Sequence, residues 1–271
     1  MRLRRGYAPR PMKIVVCVKE VPDAAAPKRI DPQTKRLDRS GEGALNEFDA
    51  HALEEGLKLK EVAGNGEVVV VSMGPERATA TLRKALAMGA DRAVLVADEA
   101  AAGSDLVATS KVLAKALERE SPDLVLVGQQ GGDSDGAVLW AALADRLCLP
   151  LVSQAASLDV SDGTARSKRQ TEYGYDVLEA PLPAVVAVSD AINEPRYPSL
   201  KGIMGAKKKP QETVSLSDLG VEAGEAGEAG SRTTVVELSD PPARGEAQRI
   251  EDEGGGSAEQ ILAYLQDNKL L

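Results

Sequence analysis

The sequence is poor in the side chains on which much protein chemistry depends. Its 271 residues include one histidine, His51, and two cysteines, Cys17 and Cys148. A lone imidazole excludes a His-rich metal centre and an ordinary Ser-His-Asp triad. Two thiols cannot staple a chain of this length; they are expected to be reduced, which points to the cytoplasm. Aromatic residues make up only 3%, too few for the stacking platforms that hold exposed bases. Positive charge is also in deficit, with 33 Lys and Arg against 42 Asp and Glu and a formal net charge of −9, so no nucleic acid partner is expected from bulk charge. No apolar run approaches the ~18–20 residues that a transmembrane segment needs. The basic opening Met1–Arg10 leads only into the short run Ile14–Val18 before Lys19-Glu20. That is a poor signal peptide, and residues 1–11 are expected to be a disordered N-terminal extension.

What the sequence does contain is a large stock of small and branched apolar residues. With 43% hydrophobic residues and so few aromatics, the core must be filled by Val, Leu, Ile and Ala, which suits a parallel sheet covered by helices. Strand-like runs alternate with helical patterns at Ile14–Val18, Asn46–Val62, Val68–Ser72, Pro75–Met88, Ala93–Val96, Asp105–Glu118, Leu124–Val127 and Ala137–Leu147. The runs Val68–Val71 and Leu124–Val127 lack polar alternation, as strands buried on both faces do. The pattern predicts an α/β fold with a doubly wound, mostly parallel, Rossmann-like sheet. Asn46 is placed to cap the first helix, Pro75 to open the second and Gly89 to end it. Alternating stretches around Asp162-Gly163 and Tyr173-Gly174 predict antiparallel strands with tight turns, and Ala184–Val188 a return to the main sheet. The predicted domain spans 12–205. From 206 to 271 an arm is expected: basic Lys207–Lys209, an acidic low-complexity linker over Glu222–Gly230, and an amphipathic helix starting at the capping-box pattern Ser257-Ala258-Glu259-Gln260.

In an open α/β sheet, ligands sit at the carboxyl ends of the strands. The ends with chemical interest are Cys17-Val18-Lys19, Ser72-Met73-Gly74-Pro75 and Gly128-Gln129-Gln130-Gly131-Gly132-Asp133-Ser134-Asp135-Gly136. The third joins a buried strand to a helix, so its small residues allow close backbone approach, the helix amino terminus can hold a phosphate, and Ser134 can add a hydroxyl. It is neither a P-loop nor the Gly-x-Gly-x-x-Gly turn. Asp133 and Asp135 would repel phosphate unless they face a ribose, cap the helix, or leave the phosphate to amide donors. As a metal or acid-base pair they lack a histidine or basic companion. A plain acidic strand-to-helix connection remains open from the residues alone. His51 reads as a solvated helix-face histidine and Cys17 as core packing.

Several separated segments resemble the beta subunit of electron transfer flavoproteins. They are Lys13–Lys19, Asn46-Glu47-Phe48-Asp49 with Ala52–Glu55, Ala85–Arg92 and, most specifically, the stretch Asn193-Glu194-Pro195-Arg196-Tyr197-Pro198-Ser199-Leu200-Lys201-Gly202-Ile203-Met204-Gly205-Ala206 running on to Lys209. The resemblance implies a three-layer α/β/α domain of the adenine nucleotide alpha hydrolase-like type. It also implies a heterodimer in which an alpha subunit holds most of the FAD. This subunit would bind an adenine nucleotide, usually AMP, or a second FAD in members that bifurcate electrons. Carried over, the nucleotide contacts fall on Cys17, Asn46, Glu47, Phe48, Asp49, Met73, Gly128, Gln129, Gln130, Asp133, Ser134, Asp135, Gly136, Ala137 and Val138.

The same resemblance implies a docking loop for dehydrogenases, such as acyl-CoA dehydrogenases, anchored by Leu200 with Pro198 and Ile203 beside it. Its C-terminal arm would lie against the alpha subunit. The sequence departs from many relatives at Val138 and Trp140, where they carry Gln and Gly, and at Ala24, where some place an aromatic near the flavin. The expected function is a redox carrier without substrate turnover of its own, passing electrons from dehydrogenases to a quinone oxidoreductase or another acceptor. The alternatives are a bifurcating subunit with its own FAD and a stand-alone nucleotide-binding module resembling universal stress proteins.

Overall fold

A computed structural model of the chain describes residues 11–239, 249–252 and 254–271. The extension expected over 1–11 lies, apart from Pro11, outside them. The chain divides into two units, Met1–Thr234 and Val235–Leu271.

The first unit opens with β1 (Lys13–Cys17), a two-stranded ribbon of β2 (Glu20–Pro22) and β3 (Gly43–Leu45), and helix α1 (Glu47–Ala63). It continues through β4 (Glu67–Met73), α2 (Thr79–Met88), β5 (Arg92–Val96), α3 (Leu106–Glu120), β6 (Leu124–Gly128) and α4 (Leu139–Leu147). Then come β7 (Leu151–Ser161), β8 (Thr164–Thr171), β9 (Gly174–Pro181), β10 (Ala184–Val188), α5 (Leu200–Ala206), β11 (Gln211–Val214) and the short α6 (Gly227–Gly230). The main sheet has nine strands in the order β11-β5-β4-β1-β6-β10-β7-β8-β9. Pairings from β11 through β7 are parallel, and β7-β8-β9 is an antiparallel edge. The fold is therefore α/β and doubly wound, with the mixed edge that the turn signals at Asp162-Gly163 and Tyr173-Gly174 predict; the first turn places both its residues at positive φ.

The all-apolar runs explain the layering. Alternate residues of β1 and β4 feed opposite cores: Ile14, Val16, Val68 and Val70 pack with Leu53 and Leu57 of α1 and Leu82 and Leu86 of α2. Val15, Cys17, Val69 and Val71 pack with Val112 and Leu117 of α3 and Leu143 of α4. Burying both faces of each strand removes every reason for polar alternation.

The compact unit extends past the expected boundary at 205. Gln211–Val214 pairs in parallel with β5, and Val214, Leu216, Leu219, Val221 and Ala226 are buried against the second core. The segment expected as a linker, Glu222–Gly230, is folded. Glu222 and Glu225 form a capping box, Glu225 pairs with Lys111, and Gly227 N donates to Ser104 Oγ at 2.7 Å. Alanine and glycine read as flexible by composition, yet they are also what fits where chain packs closely on a helix. In the second unit, α7 (Ser257–Asp267) forms as predicted, but Gly256 stands at its N-cap and no side chain caps it, so the expected capping box is absent.

Candidate functional site

The chain moves outward from β1 to β4 and β5, then returns to lay β6 and β10 on the other side, so the crossover direction reverses between β1 and β6. β1 and β6 stay paired up to Cys17 and Val127, and the connections that leave their carboxyl ends run in opposite directions, which is where such folds form a ligand crevice. Residues expected to contact a nucleotide gather here. Lys19 N donates to Asp49 Oδ2 at 2.7 Å, and Asn46 N donates to Lys19 O at 3.0 Å. The start of α1 is thereby tied to the end of β1. Asn46 was expected to cap that helix. Its side chain instead reaches across the crevice, with Nδ2 donating to Gln130 O at 2.8 Å and Oδ1 accepting from Gly132 N at 3.0 Å.

Gly128 closes the same junction. A Cβ there would lie 2.4 Å from Asp49 Oδ1 and 2.6 Å from the Phe48 carbonyl carbon, so only glycine lets β6 end against the first turn of α1. Asp49 is buried beneath it. Desolvation pushes its carboxyl up to about 7, against the opposing pull of Asn46, the backbone N–H groups of Lys19 and Gly128, and the Lys19 charge.

The loop after β6 carries the charged part. The Asp133 side chain is 1% exposed and accepts from Lys19 Nζ at 2.8 Å and from Arg39. Burial pushes its pKa upward, but Lys19 and Arg39 outweigh it and hold the carboxyl below the ordinary range. Ser134 Oγ donates to Asp133 Oδ1 at 3.2 Å and lies 3.4 Å from Lys19 Nζ. Lys28 Nζ donates to Gly132 O at 2.8 Å. Asp135 is exposed in the left-handed region at φ 48°, and Gly136, Ala137 and exposed Val138 lead into α4, whose N-cap position carries no side-chain bond. Trp140 does not enter the crevice: its Nε1 donates to Gln129 O at 3.0 Å and its ring packs on the second core.

Other expected contacts are placed differently. Cys17 is buried in the second core, and burial, with Asp49 nearby, pushes its thiol up to about 12, so the side chain packs rather than reacts. Met73 packs partly against the same core from the end of β4. Glu47 is exposed and Phe48 half-buried at the start of α1.

Lys19, Lys28 and Arg39 are not among the contacts that the resemblance implies. Lys28 and Arg39 lie in the excursion between β2 and β3, which has no periodicity. The signal available was the cluster Lys28, Arg29, Lys35, Arg36 and Arg39 in an otherwise acidic chain.

A phosphate-bearing ligand fits this donor set. An uncapped helix start, glycines at 131, 132 and 136 and the convergent Lys19, Lys28 and Arg39 all favour an anion, while Asp133 is already neutralised by two of those cations. Among the described residues no group of three or more His, Cys, Asp or Glu is placed to hold a metal ion. No described helix is long and apolar enough to cross a membrane.

The expected docking residues lie on a separate surface. Leu200 opens α5, capped by Ser199 Oγ accepting from Gly202 N at 3.0 Å, and is 82% exposed. Ile203 is exposed beside it, with Tyr197 and Met204, and Pro198 is half-buried. Leu200 covers none of its own core.

Comparison with known proteins gives a consistent picture. Residues 34–219 match the family model described as the electron transfer flavoprotein domain. A Mycobacterium leprae protein named electron transfer flavoprotein subunit beta is 41% identical over 264 residues, covering 95% of this chain and 99% of the relative. A protein of the same name from Thermoanaerobacterium thermosaccharolyticum is 41% identical, covering 85% of this chain and 88% of the relative. The caffeyl-CoA reductase-Etf complex subunit CarD of Acetobacterium woodii is 40% identical, covering 88% and 92%.

Proposed function

The chain belongs to the electron transfer flavoprotein family, among its beta subunits, and from that premise we propose that it is one half of a heterodimeric redox carrier. An alpha subunit holds most of the FAD, which supplies the redox chemistry. This chain turns over no substrate of its own. Its first task is to bind an adenine nucleotide, AMP or a second FAD, in the crevice between β1 and β6.

The observation that carries this reading is the convergence of Asn46, Lys19, Lys28 and Arg39 on the loop from Gln129 to Ser134 at the reversal point of the sheet. There the backbone N–H groups of Gly131 and Gly136 and the start of α4 receive the phosphate, the excess of positive charge on Lys19, Lys28 and Arg39 over Asp133 balances its charge, and Asn46, holding Gly132 N, fixes the loop. A ligand that binds only the folded chain stabilises it by mass action, so the nucleotide acts as a structural element of the domain.

The second task is docking. Leu200, with Pro198 and Ile203, offers an exposed apolar anchor to a dehydrogenase such as an acyl-CoA dehydrogenase, and electrons then pass to a quinone oxidoreductase or another acceptor. Burying such an anchor contributes about 1.5–3 kcal/mol. The cytoplasm is the proposed location, consistent with two free thiols.

Co-expression with a candidate alpha subunit, followed by denaturation of the purified complex and quantitation of released FAD and AMP, tests the reading. One FAD and one AMP per heterodimer is the expected result. Two FAD and no AMP would make this a bifurcating subunit, and failure to form a complex would favour the stand-alone nucleotide-binding module.

A further inference from the structure

The exposed apolar face Tyr197–Met204 is attached to the domain unusually firmly for a surface segment. Just before it, Arg196 reaches α1 with its whole fork. Nε donates to Glu54 Oε2 at 2.7 Å, Nη2 to Glu54 Oε1 at 3.1 Å and Glu61 Oε2 at 3.2 Å, and Nη1 to Glu61 Oε1 at 2.6 Å. The Arg196 backbone N–H adds a bond to Glu54 Oε2 at 3.2 Å. Three residues earlier, Asn193 Nδ2 donates to His51 O and Glu55 Oε2, both at 3.0 Å, and Asn193 O lies 2.9 Å from His51 Nδ1.

The middle and rear of the segment are fixed as well. A Cβ at Gly202 would lie 2.3 Å from Ala87 O, so α5 rests directly on the end of α2. Lys209 Nζ donates to Leu86 O at 2.9 Å and Ala90 O at 2.6 Å. Except for the exposed Glu61 carboxylate, the polar attachments face the domain, while Tyr197, Leu200, Ile203 and Met204 face outward.

Holding an exposed apolar anchor rigid has one physical return: the ordering that association would otherwise demand is completed at folding. We propose that Arg196 and Asn193, acting through Glu54, Glu61, His51 and Glu55 of α1, are positioning residues that pre-organise the Tyr197–Met204 face for its protein partner. This inference rests on the docking reading of Leu200. The guanidinium is suited to the task because its planar fork engages two carboxylates at once, which a lysine ammonium cannot reproduce.

The test uses the flavin-loaded heterodimer as substrate for an acyl-CoA dehydrogenase reduced by its acyl-CoA. Arg196→Met should raise KM for the heterodimer about 10-fold with kcat changed less than about twofold, the signature of lost binding rather than lost chemistry. Arg196→Lys should recover part of that loss. Hydrogen exchange over residues 197–204 should accelerate in Arg196→Met, while FAD content and reduction by dithionite, which needs no docking, stay unchanged. Combining Arg196→Met with Leu200→Ala should raise KM little beyond Leu200→Ala alone, because both act on one contact.

If Leu200→Ala raises KM and Arg196→Met does not, the positioning role is wrong and the docking reading stands. If neither changes KM, the docking reading fails and the inference with it. Should Arg196→Met not fold, Glu61→Gln removes only the exposed half of the clamp and should raise KM about 2–3-fold; an unchanged KM there overturns the proposal.

Discussion

The crevice and the Tyr197–Met204 face are built on one helix and turn its polar groups in opposite senses. The start of α1 points Asn46 and Asp49 into the crevice, where their bonds hold the ends of β1 and β6 and the loop after β6 in register. Later turns point His51, Glu54, Glu55 and Glu61 at the chain before α5. In the crevice, polar side chains fix backbone that stays open to a ligand. On the face, they are consumed inward so that apolar side chains are left outside. Both arrangements bury carboxylates, which is tolerable only because each accepts bonds from N–H donors or a guanidinium. Where a carboxylate sits on such a helix therefore says less about its role than what donates to it.

The comparison breaks most severely at Gly128. Any side chain there collides with Asp49 and the backbone of Phe48, and β6 and α1 must separate. Gly128→Val should cost more than about 3 kcal/mol in denaturant unfolding, at the upper end of overpacking penalties, and the purified chain should lose the nucleotide proposed for the crevice. Asn46→Ala comes next. It strips the bonds to Gln130 O and Gly132 N and should cost about 1–3 kcal/mol, at about 0.5–1.5 kcal/mol net for each hydrogen bond lost. Nucleotide content should fall while KM for a dehydrogenase stays unchanged, since the clamp on the other end of α1 is untouched. Asn46→Asp should do worse than alanine, because it sets a second oxygen against the Gln130 carbonyl.

Asp49 sharpens the comparison through pH. Its carboxyl is raised by burial to about 7 in the folded chain, so the folded state holds a proton that the unfolded chain has already released. Stability from this group is therefore fully present below about pH 4 and is lost as pH rises to about 7. Asp133 has the opposite sign: lowered net by Lys19 and Arg39, it contributes stability that is lost as pH falls. Unfolding free energy of Asp49→Asn, measured from pH 4 to 8, should show less decline with rising pH than the parent; an unaltered slope would place the titration elsewhere.

The fold was legible where burial dictates composition. Val68–Val71 and Leu124–Val127 can hardly be anything but strands covered on both faces, and the glycine-rich loop after β6 announces a strand-to-helix turn at a sheet end. β11 was missed because Gln211-Glu212-Thr213-Val214 lies at the edge of the sheet, where only Val214 is buried. The Glu222–Gly230 stretch misled because repetition of small residues looks the same whether they are free or tightly packed. His51 read as solvated because its partner, Asn193, is remote in sequence. The cations of the crevice were legible as a basic cluster but not as its lining: Lys28 and Arg39 reach the loop after β6 from an irregular excursion, and only three-dimensional closure brings them to Gly132 and Asp133. Asn46 was placed correctly but given the wrong duty, since a residue at an N-cap position ordinarily serves its own helix.

The smallest effect on stability should come from the residue proposed to matter most for docking. Leu200 is 82% exposed at the start of α5, and the helix is held by Ser199, by the contact of Gly202 with Ala87 and by the Lys209 bonds, none of which involves the leucine side chain. Leu200→Ala therefore removes apolar surface that folding never buried, and its unfolding free energy should lie within about 0.5 kcal/mol of the parent. On the docking role proposed for this leucine, the same variant should slow electron transfer from the dehydrogenase while FAD content stays unchanged. If it instead unfolds at clearly lower denaturant, the side chain is packing against its own chain in solution, and the contrast between a crevice that holds the fold and a face that leaves it collapses.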